Sequence, residues 1–174
     1  GNYACTRSNP IGYNNSLEYD QVAWEPGPKC NDYPQQCTME GSLVFATGRV
    51  GKQTAGAFIS MSEQITIRHN TITGLPRSGI TINDGSWGGH VIEYNHVFNT
   101  VTETGDHGPF NSWGRDRYWK TQHHSADKGD ESGARERSTL DNHLTTHIRN
   151  NRFEHGDGHS WGIDLDDGSS NYHV

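Results

Sequence analysis

The chain has 174 residues, is 30% hydrophobic, carries 21 glycines and has a formal net charge of −7. So little apolar content with so much glycine excludes a helical globule and suits a solenoid, whose narrow core needs few apolar residues per coil. The acidic balance argues against nucleic acid as a partner, which demands a basic face, and no apolar run is long enough for a membrane span.

Residues 1–41 hold Pro10, Pro26, Pro28 and Pro34 among many Asn, Tyr and Gly. They read as an irregular N-terminal segment with one strand around residues 21–24. Cys5, Cys30 and Cys37 all fall in this stretch. An odd number permits at most one intrachain disulfide; Cys30–Cys37 would close the shortest loop, free thiols are the favoured reading, and the spacing fits no zinc pattern. No signal peptide is visible at Gly1, and a mature secreted chain would look the same.

Coiling is expected from Ser42-Leu43-Val44-Phe45 onward. An aliphatic residue, an asparagine three positions later and an apolar residue two beyond it recur as Ile67/Asn70/Ile72, Ile92/Asn95/Val97 and Ile148/Asn151/Phe153. After each copy a second short strand opens on a glycine, at Gly79, Gly108 and Gly162, and Gly56 holds the same place one coil earlier. A self-similar unit of about 20–25 residues built from short strands marks a solenoid. The expected fold is all-β, a right-handed parallel β-helix over 42–174, almost without α-helix outside a polar insertion at 114–145 that runs over one face. Val174 aligns with Ile67, so the solenoid reads as truncated at its C-terminal end, with missing coils or a partner chain expected to cover it. Asn70, Asn95 and Asn151 are expected to stack inside a turn, each amide bonding the next across the ~4.8 Å strand spacing.

Alternation turns Ile80, Ile82, Ile163 and Leu165 toward the core, and Thr81, Asn83, Asp164 and Asp166 outward from one face. Asp84 and Asp167 sit at the turns just beyond, and Asp167 before Gly168 fits an Asx-turn. Two outward aspartates within a strand, where Asp is disfavoured, call for a functional reading. Asp106 and His107 precede the third coil's strand, Asp116 follows it, and Asp157 precedes the fourth. Carboxylates one or two coils apart would be ~5–10 Å apart, a range that spans retaining and inverting glycosidases. Trp87, Trp113, Tyr118, Trp119 and Trp161 lie among these acids, and sugar C–H faces stack on indole. The histidines show no ligand spacing, so no metal is assigned to them; a calcium ion on Asp164, Asp166 and Asp167 is chemically reasonable.

The blocks at residues 48–56 (GRVGKQTAG), 87–90 (WGGH), 104–108 (TGDHG), 110–117 (FNSWGRDR) and 163–172 (IDLDDGSSNY) resemble the large β-helix carbohydrate-active proteins of bacteria. Among these the chain is similar to glycoside hydrolase family 141, which includes an inverting α-L-fucosidase and a xylanase. The resemblance covers residues 48–174 and implies polysaccharide hydrolysis by two aspartates, which map to the aspartate-bearing motifs rather than to single positions. The expected function is therefore an extracellular glycoside hydrolase (secreted, periplasmic or at the cell surface) acting on a polysaccharide or oligosaccharide. The candidate catalytic residues are Asp116 and Asp166, then Asp164, Asp157 and Asp106. His107 would shuttle a proton, Arg115 and Arg117 would orient a sulfate or uronate, and Trp113, Trp161 and Asp84 would contact substrate. Two alternatives stand beside it: a polysaccharide lyase using His107, Arg115, Arg117 and Asp166, and a non-catalytic glycan-binding or adhesive β-helix.

Overall fold

The computed structural model describes residues 25–28, 31, 33–83, 87–114, 140–154, 161–166 and 168–174. The expected strand at 21–24, Cys5, Cys30, Asp167 and residues 115–139 of the insertion lie outside them.

The first coil comprises β1 (Thr38–Glu40), β2 (Leu43–Phe45) and β3 (Ala57–Ile59). The second comprises β4 (Thr66–Arg68), β5 (Thr71–Thr73) and β6 (Ile80–Ile82), and the third β7 (Val91–Glu93), β8 (His96–Phe98) and β9 (Phe110–Ser112). The fourth holds β10 (Thr146–Arg149), β11 (Arg152–Phe153) and β12 (Ile163–Leu165), and β13 (Tyr172–His173) follows it. Three parallel sheets run up the solenoid in the orders β1-β4-β7-β10-β13, β2-β5-β8-β11 and β3-β6-β9-β12. There is no helix among the described residues, and the fold is an all-β, right-handed parallel β-helix. Coiling starts earlier than the sequence pattern suggests. β1 lies within residues 1–41 and already pairs with β4 through Met39 and Ile67, because Met39 supplies the inward apolar position although no asparagine follows it.

The core is a set of vertical stacks. Met39, Ile67, Ile92 and Ile148 are register partners in the first sheet, Val44, Ile72, Val97 and Phe153 in the second, and Ala57, Ile80, Phe110 and Ile163 in the third. Fully burying one such aliphatic side chain stabilises the fold by ~1.5–3 kcal/mol. Glycine at the entry to the third sheet is a matter of close approach: a Cβ on Gly56 would lie 2.5 Å from Ile72 Cγ2 and 2.9 Å from the Gly79 carbonyl. In the last coil Ile163, Leu165 and Val174 are exposed.

The asparagine ladder forms as expected. Asn70 Nδ2 donates to Asn95 Oδ1 at 3.0 Å and to the Met39 carbonyl at 3.0 Å, while Asn95 Nδ2 donates to Asn151 Oδ1 at 3.0 Å and to the Ile67 carbonyl at 2.9 Å. The Ser42 N–H caps the ladder on Asn70 Oδ1 at 2.9 Å. Each ladder position follows a left-handed residue, namely Gly41, His69, Tyr94 and Asn150 with φ of 60°, 55°, 53° and 56°. That conformation reverses the chain sharply enough to aim the next side chain inward, and Asn and His tolerate it better than most residues. The His69 and Tyr94 rings stack on the outside of this corner, with centroids 5.1 Å apart.

The reading of one aromatic residue changes. Trp87 is buried and packs on Tyr33 at a centroid distance of 4.6 Å, so it closes a corner rather than lining a cleft. Cys37 is an exposed free thiol.

His90 carries a testable pH dependence. It is fully buried, its Nδ1 accepts the Ile65 N–H at 3.1 Å, and burial lowers its pKa from 6.5 to about 4. Between those values the unfolded chain binds a proton that the folded chain refuses, so stability rises with pH and is lost as pH falls below 6.5. Going from pH 7 to pH 4.5 is expected to cost roughly 2–3 kcal/mol through this one group. Urea unfolding at both pH values, for wild type and His90→Gln, checks it: the wild type should lose clearly more stability on acidification than the variant. Parallel losses would assign the effect elsewhere.

Candidate functional site

The outward positions of the third sheet form one row: Phe58, Thr81, Asn111 and Asp164. Each follows from strand alternation, since its neighbours on either side turn into the core. The row is not a uniformly open platform. Phe58 is exposed and Asp164 half-buried, but Thr81 and Asn111 are buried although they point outward. Burial there is tolerated because the polar groups satisfy one another. The Thr81 hydroxyl reaches Asn83 Oδ1 at 3.0 Å and Asn111 Oδ1 at 3.1 Å, and its single proton serves one at a time. Asn111 Nδ2 then donates to Asp164 Oδ2 at 2.7 Å.

Asp164 is the electrostatic centre of this row. Burial pushes its carboxyl above the usual carboxylate range, and the charges of Asp166 and Asp106 push the same way, while the Asn111 N–H and His107 oppose them. His107 is buried at the entry to β9. Arg77 Nη2 donates to its Nε2 at 2.7 Å, which leaves Nδ1–H to donate to the Gly105 carbonyl at 3.3 Å. The ring is neutral in this tautomer, and its pKa is lowered by burial first and by the Arg77 charge second. Arg77 is itself lowered by burial, with Asp106 acting against that.

The charges of Asp166, Asp106 and His107 therefore all act on Asp164. Asp166 follows β12, its N–H bonded to the Ser112 carbonyl at 2.8 Å, and it and Asp106 are exposed. Trp161 is half-exposed beside His107, whose carbonyl accepts the Trp161 N–H at 3.3 Å. Trp113 is partly buried directly after β9. Asp84, Arg115, Asp116, Arg117 and Asp157 lie outside the described residues. Among the described residues, a groove of about 340 Å³ lies at the end of the core, lined by Ile148, Phe153, Ile163 and Val174 among others and by no acid.

Arg77, Thr81, Asn83 and Asn111 were not singled out as site residues from sequence. A signal for two of them existed in the glycine alignment. Arg77 stands two positions before Gly79, as Asp106 does before Gly108, and Asn111 stands where Thr81 and Asp164 stand in the adjacent coils.

No family model matches the chain, and neither a curated protein nor a solved structure matches it.

Proposed function

We propose that the protein is a glycoside hydrolase acting on polysaccharide or oligosaccharide at the Asp164 end of the third sheet's outer face. The observation that supports this reading is Asp164 itself: a half-buried carboxyl, tied to Asn111 and acted on by the charges of Asp106, Asp166 and His107. A carboxylic acid whose hold on its proton is strengthened by such surroundings can give that proton to a glycosidic oxygen, which then leaves with it. Asp166 or Asp106, both exposed, would take a proton from water as its oxygen bonds to the anomeric carbon and the old C–O bond breaks. The half-exposed Trp161 offers a stacking face beside them. The resemblance to glycoside hydrolase family 141 agrees with this chemistry, and a glycan substrate implies a secreted, periplasmic or cell-surface setting.

The lyase alternative fits less well. It needs a free base, whereas the accepting nitrogen of His107 is already engaged by Arg77. A calcium ion on Asp164, Asp166 and Asp167 would compete with the acid role, because a hard cation holds Asp164 as a carboxylate. Incubation with a glycan panel separates these readings. Hydrolysis should release reducing ends with no ultraviolet-absorbing unsaturated product, and chelation of calcium should leave the rate unchanged. An unsaturated product would establish the lyase, loss of activity on chelation would establish the ion, and binding without cleavage across the panel would establish an adhesive role.

A further inference from the structure

The outer face of the first sheet carries a pair of histidines that the proposed hydrolysis does not use. His147 on β10 and His173 on β13 are register partners across a parallel pair. Thr146 and Ile148 on either side of His147 are buried, so alternation sends both imidazoles outward. Their Nδ1 atoms lie 3.3 Å apart, with ring centroids 5.4 Å apart and planes at 74°. Two imidazole nitrogens on one tetrahedral ion, each at about 2.0–2.1 Å, are separated by about 3.3–3.4 Å. The pair already has the bite of a two-histidine chelate.

We propose that His147 and His173 form a bidentate site for a borderline divalent transition-metal ion, with Zn²⁺ the best geometric match. Imidazole pairs suit this class of ion, whereas calcium and magnesium take oxygen ligands. The spacing is fixed by the backbone: the Thr146 N–H bonds the Asn171 carbonyl at 3.0 Å, and the Thr145 hydroxyl bonds Asn171 Oδ1 at 2.9 Å just ahead of the rings. His173 is exposed and His147 partly so, so an ion enters from solvent without unpacking the core. The nearest cation along β10, Arg149, donates through Nε to Glu93 at 2.9 Å, and that carboxylate offsets the repulsion an incoming ion would meet. Without metal, one Nδ1–H donates to the other Nδ1. On binding, that proton moves to Nε2 of the same ring, and both neutral rings coordinate with no net proton release. Among the described residues no group of three or more His, Cys, Asp or Glu converges on one point. With these two rings as its protein ligands, an ion would complete its shell with water, leaving positions open to an exogenous ligand.

The test is a titration of ¹⁵N-labelled protein with Zn²⁺ alone, following the histidine ring nitrogens in long-range ¹H–¹⁵N spectra. The Nδ1 signals of His147 and His173 should shift together and saturate at the same ion concentration. His147→Ala and His173→Ala should each weaken binding at the remaining ring by at least ~10-fold, since loss of even an outer-shell partner costs a metal site that much. Reading the rings directly keeps ions bound by other histidines or cysteines out of the result. Ring nitrogens of the wild type that stay unmoved up to millimolar Zn²⁺ would overturn the site. So would a remaining ring that binds as tightly after its partner is replaced, because the two would then be independent ligands.

Discussion

Asp164→Asn is expected to lower glycan turnover at least ~10²-fold, the least that a positioned general acid contributes, while fold and glycan binding persist. The substitution is nearly isosteric, and an asparagine at 164 still offers a carbonyl oxygen to Asn111 Nδ2, which now bonds Asp164 Oδ2 at 2.7 Å. What it removes is the transferable proton. Burial together with Asp166 and Asp106 holds that proton on Asp164 above the usual carboxylate range. The alkaline limb of the wild-type pH–rate profile should accordingly fall above that range, since activity is lost as the acid ionises. Asp166→Asn should also lower turnover if Asp166 is the base, and by removing a charge that raises Asp164 it should draw the alkaline limb to lower pH. Turnover and glycan binding must be measured on the same preparations. Unchanged turnover in Asp164→Asn would remove Asp164 from the chemistry, and loss of folding would make it part of the scaffold.

The fold was legible because the solenoid repeats its constraints. Each coil needs one inward aliphatic in the first sheet, one asparagine behind a left-handed residue and one glycine where the chain enters the third sheet. Ile67, Asn70 and Gly79 state that requirement in full, and Ile92, Asn95 and Gly108 repeat it. The start of the first coil was not legible. Ser42 stands at the asparagine's position there and only its backbone N–H joins the ladder, so the motif's most visible letter is missing. The site was legible only in outline. Alternation sends Asp164 and Asp166 outward alike, and nothing in their spacing says that Asp164 is half-buried while Asp166 is exposed. Arg77 and His107 meet across 30 residues and His147 and His173 across 26. Contacts of that kind depend on coil length and side-chain direction together, and the variable coil lengths hide them from any fixed ligand spacing. The ladder from Asn95 to Asn151 steps 56 residues where the previous step is 25.

Asn95→Ala is expected to destabilise the fold by about 3 kcal/mol, at the top of the ~1–3 kcal/mol range for one orphaned buried group. The reason is that its amide serves several partners at once. Asn95 Oδ1 accepts both the Asn70 N–H at 3.1 Å and Asn70 Nδ2 at 3.0 Å, while its own Nδ2 satisfies the Ile67 carbonyl at 2.9 Å. Asn95 is 2% exposed, so water cannot take over these bonds without opening the corner. Asn151→Ala provides the internal control. Asn151 is only half-buried, so water can enter the space its amide vacates and reach the Asn95 N–H and Nδ2 that it leaves behind. Its loss should cost about 1 kcal/mol, as water replaces part of what is removed. Urea unfolding of both variants decides the matter: the midpoint should fall markedly further for Asn95→Ala, with the denaturant slope unchanged. Equal and small shifts would show that inward aliphatic packing, and not the amide ladder, holds successive coils in register. A reduced slope in Asn95→Ala would show instead that the coils beyond the break have come apart before the rest unfolds.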